Sequence, residues 1–273
     1  MTMSTTDAAE ACYTVTDGIA HVVLNRPAAL NAIDDRMNTA LAAIWDRFAA
    51  DDEAGVAILS GAGRSFCAGA DLKSFIPRWR GADMMAPRRN AGMGLGGGLT
   101  RGRHRLAKPV IAALHGHVIG AGFELALACD IRIAAEDTRF GVFELRYGLH
   151  QGDGGLVRLV AVAGIGTALD LTLTGRPVDA IEARRLHLVS QVVPRDQLMA
   201  TADTTARMIL ANGRTAVESA RETILDLIGR PLDDALRLEA INGYSALGDF
   251  SEAGPRLDQF MAGVANDARR SDD

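Results

Sequence analysis

Residues 110–134 read VIAALHGHVIGAGFELALACDIRIA. Val110 to Leu114 is an apolar run with the length of a buried strand, Glu124 to Cys129 reads as a short helix after a glycine-containing turn, and Ile131 to Ala134 is a second buried strand. Strand, helix and strand in that order make a parallel crossover, and the pattern recurs upstream. Tyr13 to Leu24 predicts a strand pair turning at Asp17-Gly18, and Val56 to Leu59 a buried strand ending in Ser60-Gly61. Between them, Asp34 to Ala50 sets Met37, Leu41, Ile44, Trp45 and Phe48 at helical spacing behind a capping aspartate. The fold class implied is α/β with several right-handed crossovers.

Past Asp179 the texture changes. Ala180 to Leu188, Leu198 to Leu210, Thr215 to Ile228 and Leu232 to Leu247 all carry helical periodicity, so the C-terminal third is mainly helical. Residues 78–105 differ from both parts. Seven arginines (Arg78, Arg80, Arg88, Arg89, Arg101, Arg103, Arg105) surround the glycine-rich stretch from Gly92 to Gly98, where little side chain is available to pack. This reads as a mobile insertion, open between a solvated loop and a lid or phosphate-facing edge.

Composition excludes several classes. The chain has 273 residues, 48% of them hydrophobic, enough for a sizeable core, and a net charge of −5 argues against a nucleic-acid binder held by a general basic field. Cys12, Cys67 and Cys129 are odd in number and far apart, so no disulfide framework is expected. The first twelve residues lack Lys, Arg and an apolar core, and the apolar stretches read as short of the ~20 residues that span a bilayer. These features lead to the expectation of a soluble, cytoplasmic protein without nucleic-acid or membrane partners.

Motifs of the commoner chemistries are missing: there is no GxSxG, no HExxH and no phosphate loop ending in Gly-Lys-Ser/Thr. His115 and His117, two apart at a strand end, are expected to point the same way, and with no carboxylate or thiol at ligand spacing no metal is expected. Gly120-Ala121-Gly122 lacks the third glycine of a dinucleotide fingerprint, Leu125 holding its place. Two turns stay informative: Ser65 to Leu72, with Asp71 as a cap, and Gly116 to Glu124, glycines feeding directly into a helix. Unpaired amides at such turns suit an anion, and a facing pair makes an oxyanion hole. Two ordinary helix entries packed through small residues are the alternative, and turn chemistry alone favours them. Glu124 in a helical first turn and Glu144 after the apolar Phe140 to Phe143 are each, alone, compatible with a dipole partner and a solvent-facing end residue.

Taken together the residues resemble the crotonase (enoyl-CoA hydratase) superfamily over 13–260. The resemblance is carried by Leu24-Asn25-Arg26-Pro27 with Ala29-Leu30-Asn31-Ala32, by Phe66 to Leu72, by Lys108 to Ala113 and by Gly120 to Asp130. Phe140-Gly141 with Glu144, Gly152-Asp153-Gly154-Gly155 and Leu173-Thr174-Gly175-Arg176 continue it in order. It implies a crotonase-type spiral of ββα units with a helical C-terminal region, divided as a core of 1–195 holding an acyl-CoA site and an oligomerisation region of 196–273. A homotrimer or dimer of trimers is then expected.

Carried onto this chain, the resemblance implies that the N–H groups of Ala70 and Ala121 hold a thioester oxygen, and that Glu124 and Glu144 are the acid and base residues. Glu124 is expected to be the ionised base, favoured by helix polarity, and Glu144 the neutral donor. The substrate would lie along Ala28, Leu30, Ala68, Gly69, Asp71, Leu72, Lys73 and Gly120, with coenzyme A part of the substrate and no cofactor. The implied activity is hydration of a 2-enoyl-CoA to a 3-hydroxyacyl-CoA in lipid metabolism. An isomerase, dehydratase or hydrolase of the same superfamily, or a catalytically idle CoA-binding or assembly protein, are the alternatives. The chain departs from the pattern at Gln151, where proline is common, at Ala121 for glycine, and at Leu257 to Ala262, which lacks the usual Lys-Arg pair.

Overall fold

The computed structural model describes residues 10–80, 83 and 94–271. The chain forms two compact units, the first ending at Met208 and the second beginning at Ile209.

In the first unit, strands β1 (Ala11–Thr16) and β2 (Ile19–Leu24) form the expected hairpin. Asp17 and Gly18 both take positive φ, 51° and 80°, the backbone that matches a two-residue turn to the twist of its strands. Helix α1 (Asp35–Ala50) follows, capped by the Asp34 carboxylate, which accepts the Met37 N–H at 2.9 Å, and it buries the five apolar residues that the spacing selects. Strands β3 (Val56–Gly61), β4 (Val110–Leu114), β6 (Ile131–Ala135) and β9 (Gln191–Val193) add in parallel to give a six-stranded sheet in the order β1-β2-β3-β4-β6-β9. All of β4 is buried, which is why it reads as a continuous apolar run.

A second sheet holds β5 (His117–Ile119), β7 (Arg139–Gly141) and β8 (Val178–Asp179). The chain passes from β4 to β5 at Gly116, where φ is +54° and a Cβ would lie 2.1 Å from the Arg64 carbonyl oxygen, so only glycine fits. Helix α2 (Leu72–Arg80) precedes β4, α3 (Ala121–Ala128) follows β5, and α4 (Gly155–Thr174) follows β7. β1-β2-α1, β4-β5-α3 and β6-β7-α4 are therefore successive ββα units. The change of sheet corrects the histidine reading: His115, at the crossing, is buried, whereas His117, on β5, is exposed and bonds Ser65 Oγ through Nδ1 at 3.1 Å.

Two further expectations are overturned. Residues 81–82 and 84–93 of the 78–105 segment lie outside the described residues, but 94–106 is packed and not a mobile insertion. Trp45 Nε1 donates to the Gly96 carbonyl at 2.8 Å, Gly97 N–H donates to Asn38 Oδ1 at 2.8 Å, Leu99 is fully buried, and Arg103 binds both carboxylate oxygens of Asp46 at 2.8 Å. The glycines pack through bare backbone, since a Cβ on Gly97 would meet the Leu41 carbonyl carbon at 2.4 Å. Second, α4 is a 20-residue helix that by length and composition is apolar enough to cross a membrane, against the reading that no stretch reaches that length. Gly164, at φ +79°, kinks it, and its Leu159, Ala168 and Leu171 lie in the core of the first unit.

Helices α5 (Ala180–Arg185) and α6 (Leu198–Leu210) complete the core, α6 burying Leu198, Ala202 and Ala206. The second unit holds α7 (Arg214–Leu227), α8 (Leu232–Ser245) and α9 (Ala253–Ser271). Asn242 Nδ2 donates to Thr223 Oγ1 at 2.9 Å between α7 and α8, and the Glu252 carboxylate accepts the first amides of α7.

Replacing Gly97 by alanine is expected to lower the unfolding free energy by about 2 kcal/mol or more, because the new methyl has no room and φ is +70°. Gly166→Ala, which meets nothing within 4 Å on α4, should leave stability equal or higher by up to about 1 kcal/mol. Urea unfolding of both variants measures the contrast, which a loosely held 94–106 segment would not produce.

Candidate active site

The loop 66–71 is laced between two neighbours. Phe66 N–H donates to His115 O at 2.8 Å and Cys67 N–H to His117 O at 3.0 Å on the β5 side, while Ala68 N–H donates to Leu30 O at 3.0 Å and Asp71 N–H to Ile33 O at 2.8 Å on the other. Gly69 N–H faces Cys67 Sγ at 3.4 Å. Among the described residues, Ala70 is thus the one position of 66–71 whose N–H has no acceptor. Ala121 is the first residue of α3, where an amide has no acceptor within its own helix.

These two turns meet. Gly69 sits at φ +102°, and a Cβ there would lie 3.0 Å from Ile119 O and 3.5 Å from Ala121 N. A Cβ on Gly122 would lie 2.4 Å from Cys67 O, so α3 starts in direct contact with the other turn. Helix α3 begins at Ala121, three residues earlier than the apolar spacing indicates, because Gly120 at φ +56° and ψ −126° redirects the chain straight out of β5.

Both glutamates converge on this junction. Glu144 opens the short 3-10 turn Glu144–Tyr147 after β7, and its Oε1 would be 3.0 Å from a Cβ on Gly120. Its Oε2 is buried with no partner among the described residues, and burial raises its proton affinity above the ordinary carboxylate range. Glu124, one turn into α3, is buried, and its Oε1 accepts the Asp153 N–H at 2.8 Å and the Gly155 N–H at 3.0 Å. A Cβ on Gly155 would lie 2.9 Å from that oxygen, so glycine is what lets the amide approach.

Burial first, then the Asp153 charge, push the Glu124 carboxyl up to about 7; the two amides oppose this, and the Glu144 charge adds to it. The expectation that helix polarity favours an ionised Glu124 is therefore revised: desolvation outweighs the helix N-terminus.

Of the other predicted site residues, several lie on the segments that flank the junction. Ala28 is exposed and Leu30 half-buried at φ +51°, joined to half-buried Ala68 by the bond already described. Leu72 and Lys73 are exposed at the start of α2. Asp71 does cap that helix, Oδ1 accepting Lys73 N–H at 3.0 Å, while Oδ2 accepts Arg26 Nη2 at 3.1 Å, so its carboxylate is already engaged. Among the described residues no group of three or more His, Cys, Asp or Glu side chains is arranged to hold a metal. Sequence reasoning missed the Asp153 and Gly155 amides that hold Glu124; the Gly152-Asp153-Gly154-Gly155 run was their only signal.

Residues 14–247 match the family described as enoyl-CoA hydratase/isomerase. The chain belongs to the enoyl-CoA hydratase/isomerase family. Enoyl-CoA hydratase EchA19 of Mycobacterium tuberculosis is 37% identical over 236 residues, covering 86% of this chain and 88% of that protein. The short-chain-enoyl-CoA hydratase of Clostridium acetobutylicum is 37% identical over 223 residues, 81% and 83% of the respective chains. Among solved structures, an enoyl-CoA hydratase from Bacillus anthracis superposes with a TM-score of 0.83 at 32% identity, covering 93% of this chain and 96% of its own. The fold is thus the crotonase-type spiral of this enoyl-CoA hydratase/isomerase family.

The raised Glu124 affinity has a stability consequence whose sign is fixed. Below about pH 4.5 the carboxyl is protonated folded or unfolded; between there and about 7 only the unfolded chain ionises, so stability falls as pH rises, then levels off. Glu124→Gln removes that slope. The stability of Glu124→Gln relative to wild type should therefore grow by about 3 kcal/mol between pH 4.5 and pH 8, read by denaturant unfolding across pH. A constant difference would show that Glu124 is not held in its neutral form.

Proposed function

We propose that the chain is an enoyl-CoA hydratase, adding water reversibly across the double bond of a 2-enoyl-CoA to give a 3-hydroxyacyl-CoA. The observation that carries this reading is the meeting of buried Glu124 and half-buried Glu144 at one pair of turns with open amides. Hydration forms an enolate on the thioester, and the N–H groups of Ala70 and Ala121 stabilise its oxygen; one such donor is worth about 3 to 4 kcal/mol in the transition state. Ionised Glu124 takes a proton from water as its oxygen bonds to the β-carbon, and protonated Glu144 delivers one to the α-carbon. The two protons balance: one leaves water, one arrives on carbon, and the pair of acids keeps its total. An isomerase shuttles one proton between carbons and needs a single carboxyl, so two at the junction favour hydration.

In this reading the thioester enters by Gly69 and Gly120, and the pantetheine runs past Ala68, Leu30, Ala28 and Leu72 towards Lys73, whose ammonium faces the phosphates. Coenzyme A leaves with the product, and no further cofactor is required. A place in fatty-acid metabolism, a cytoplasmic location and assembly as a trimer or dimer of trimers complete the proposal. Assembly is supported by the apolar side chains exposed on α4 and α8, among them Ile165, Leu169, Leu236 and Ile241.

Crotonyl-CoA hydration, followed by loss of the conjugated-thioester absorbance, should fall at least about 100-fold in Glu144→Gln and in Glu124→Gln. Activity within tenfold of wild type in both removes the two-acid mechanism. With Glu124 as the base, kcat/KM should rise with pH and level off above about 7, the range to which burial pushes that carboxyl. A rate independent of pH from 5 to 9 would assign the base elsewhere.

A further inference from the structure

The Glu124 carboxylate is reached from four sides by charge. Asp153 comes from the turn before α4, Arg158 from α4 itself, Glu144 from the turn after β7, and Arg101, through Asp153, from the 94–106 segment; α3 carries no other charged side chain. Of these, Asp153 stands apart because it acts twice. Its N–H donates to Glu124 Oε1 at 2.8 Å, while its carboxylate adds negative charge beside a buried acid. That carboxylate does not turn to solvent. It receives Arg101 Nη2 at 2.9 Å and the Leu95 N–H at 3.3 Å, both from the segment clamped on α1 by Trp45, Asn38 and Asp46.

We propose that Asp153 and Arg101 are a positioning pair for Glu124: Asp153 holds it by its amide and presses negative charge on it, and Arg101, ion-paired to Asp153, draws part of that charge back. Arg101 reaches Glu124 through its ion pair with the Asp153 carboxylate. An isolated Asp153 would hold Glu124 protonated and idle as a base; a neutral residue there would leave it more acidic and a weaker acceptor of the proton from water. The clamped backbone at 94–101 keeps the distance fixed. This inference rests on the hydratase reading for the meaning of Glu124, not for the pairing itself.

The test is the pH dependence of kcat/KM for crotonyl-CoA in Asp153→Asn and Arg101→Gln, with folding checked by thermal melting. Asp153→Asn should move the acid limb to lower pH and Arg101→Gln should move it to higher pH, each by between about half a unit and two units. Asp153→Ala, which keeps the backbone amide, should move it as Asp153→Asn does. A merely structural pair would lower the rate in all three with the limb in place. An unmoved limb, shifts in one direction, or the reverse order overturn the proposal. If the wild type hydrates no 2-enoyl-CoA, the hydratase reading fails instead. The pair is then decided by carbon-13 titration of the Glu124 carboxyl in the same proteins, assigned by its loss in Glu124→Gln, with the same opposed shifts expected.

Discussion

Placing the Glu124 carboxylate out of water constrains everything around it. Desolvating such a group without partners costs several kcal/mol, and a hydrogen bond to a charged group returns only about 1.5 to 3. Two amides on Oε1, from Asp153 and Gly155, return part of that sum, and the remainder persists as a proton held more tightly than in water. For both amides to reach one oxygen the chain must turn through Gly154 at φ +88° and arrive at a residue without a Cβ. That turn is also the start of α4, whose Arg158 donates to Thr100 O at 2.8 Å. The acid, the helix entry and the 94–106 segment are thus held by one set of bonds.

The second constraint is the change of sheet. Because β4 is buried in one sheet and β5 belongs to another, the backbone bends at Gly116, and the 66–71 loop lies along the new direction rather than beside β4. The amides of Ala70 and Ala121 come near each other because both flank β5, one through the Cys67–Val118 bridge and the other through direct continuation. Close approach of backbone to backbone at Gly69 and Gly122 leaves little space for side chains, and a Cβ on Gly120 would meet the Glu144 carboxylate. The meeting of the two turns is a consequence of sheet topology, with the glycines as its condition.

How much of this was readable follows from where the information resides. α1, β3, β4 and α6 bury a stripe or a whole run, so their periodicity is written in side chains such as Met37, Leu41 and Trp45. β5, β7 and β8 are two or three residues long, too short for any period, and α4 is apolar on most sides, so its helical face does not stand out. The glycines of 94–98 misled because packing through bare backbone looks, in sequence, like an absence of packing. Glu124 and Glu144 were each ordinary alone and became a pair only through the resemblance. The amides of Asp153 and Gly155 were invisible for a simpler reason: a backbone donor has no letter of its own.

Two acids that feel each other's charge do not ionise independently, and this suits the proposed reaction. Burial of both acids and the Glu144 charge acting on Glu124 disfavour the doubly charged state relative to a singly protonated one, and the two amides on Glu124 lessen, without cancelling, the cost of ionising it. Hydration needs that singly protonated state and regenerates it with the proton on the other partner. Dehydration starts from the mirror arrangement, so the same pair serves both directions without exchanging a proton with bulk water during the chemical step. The asymmetry that sets which direction begins more readily lies in the environments. Glu124 rests on two amides and faces Asp153, whereas one oxygen of Glu144 is buried without a partner among the described residues and is available to whatever proton donor or carbon the junction receives.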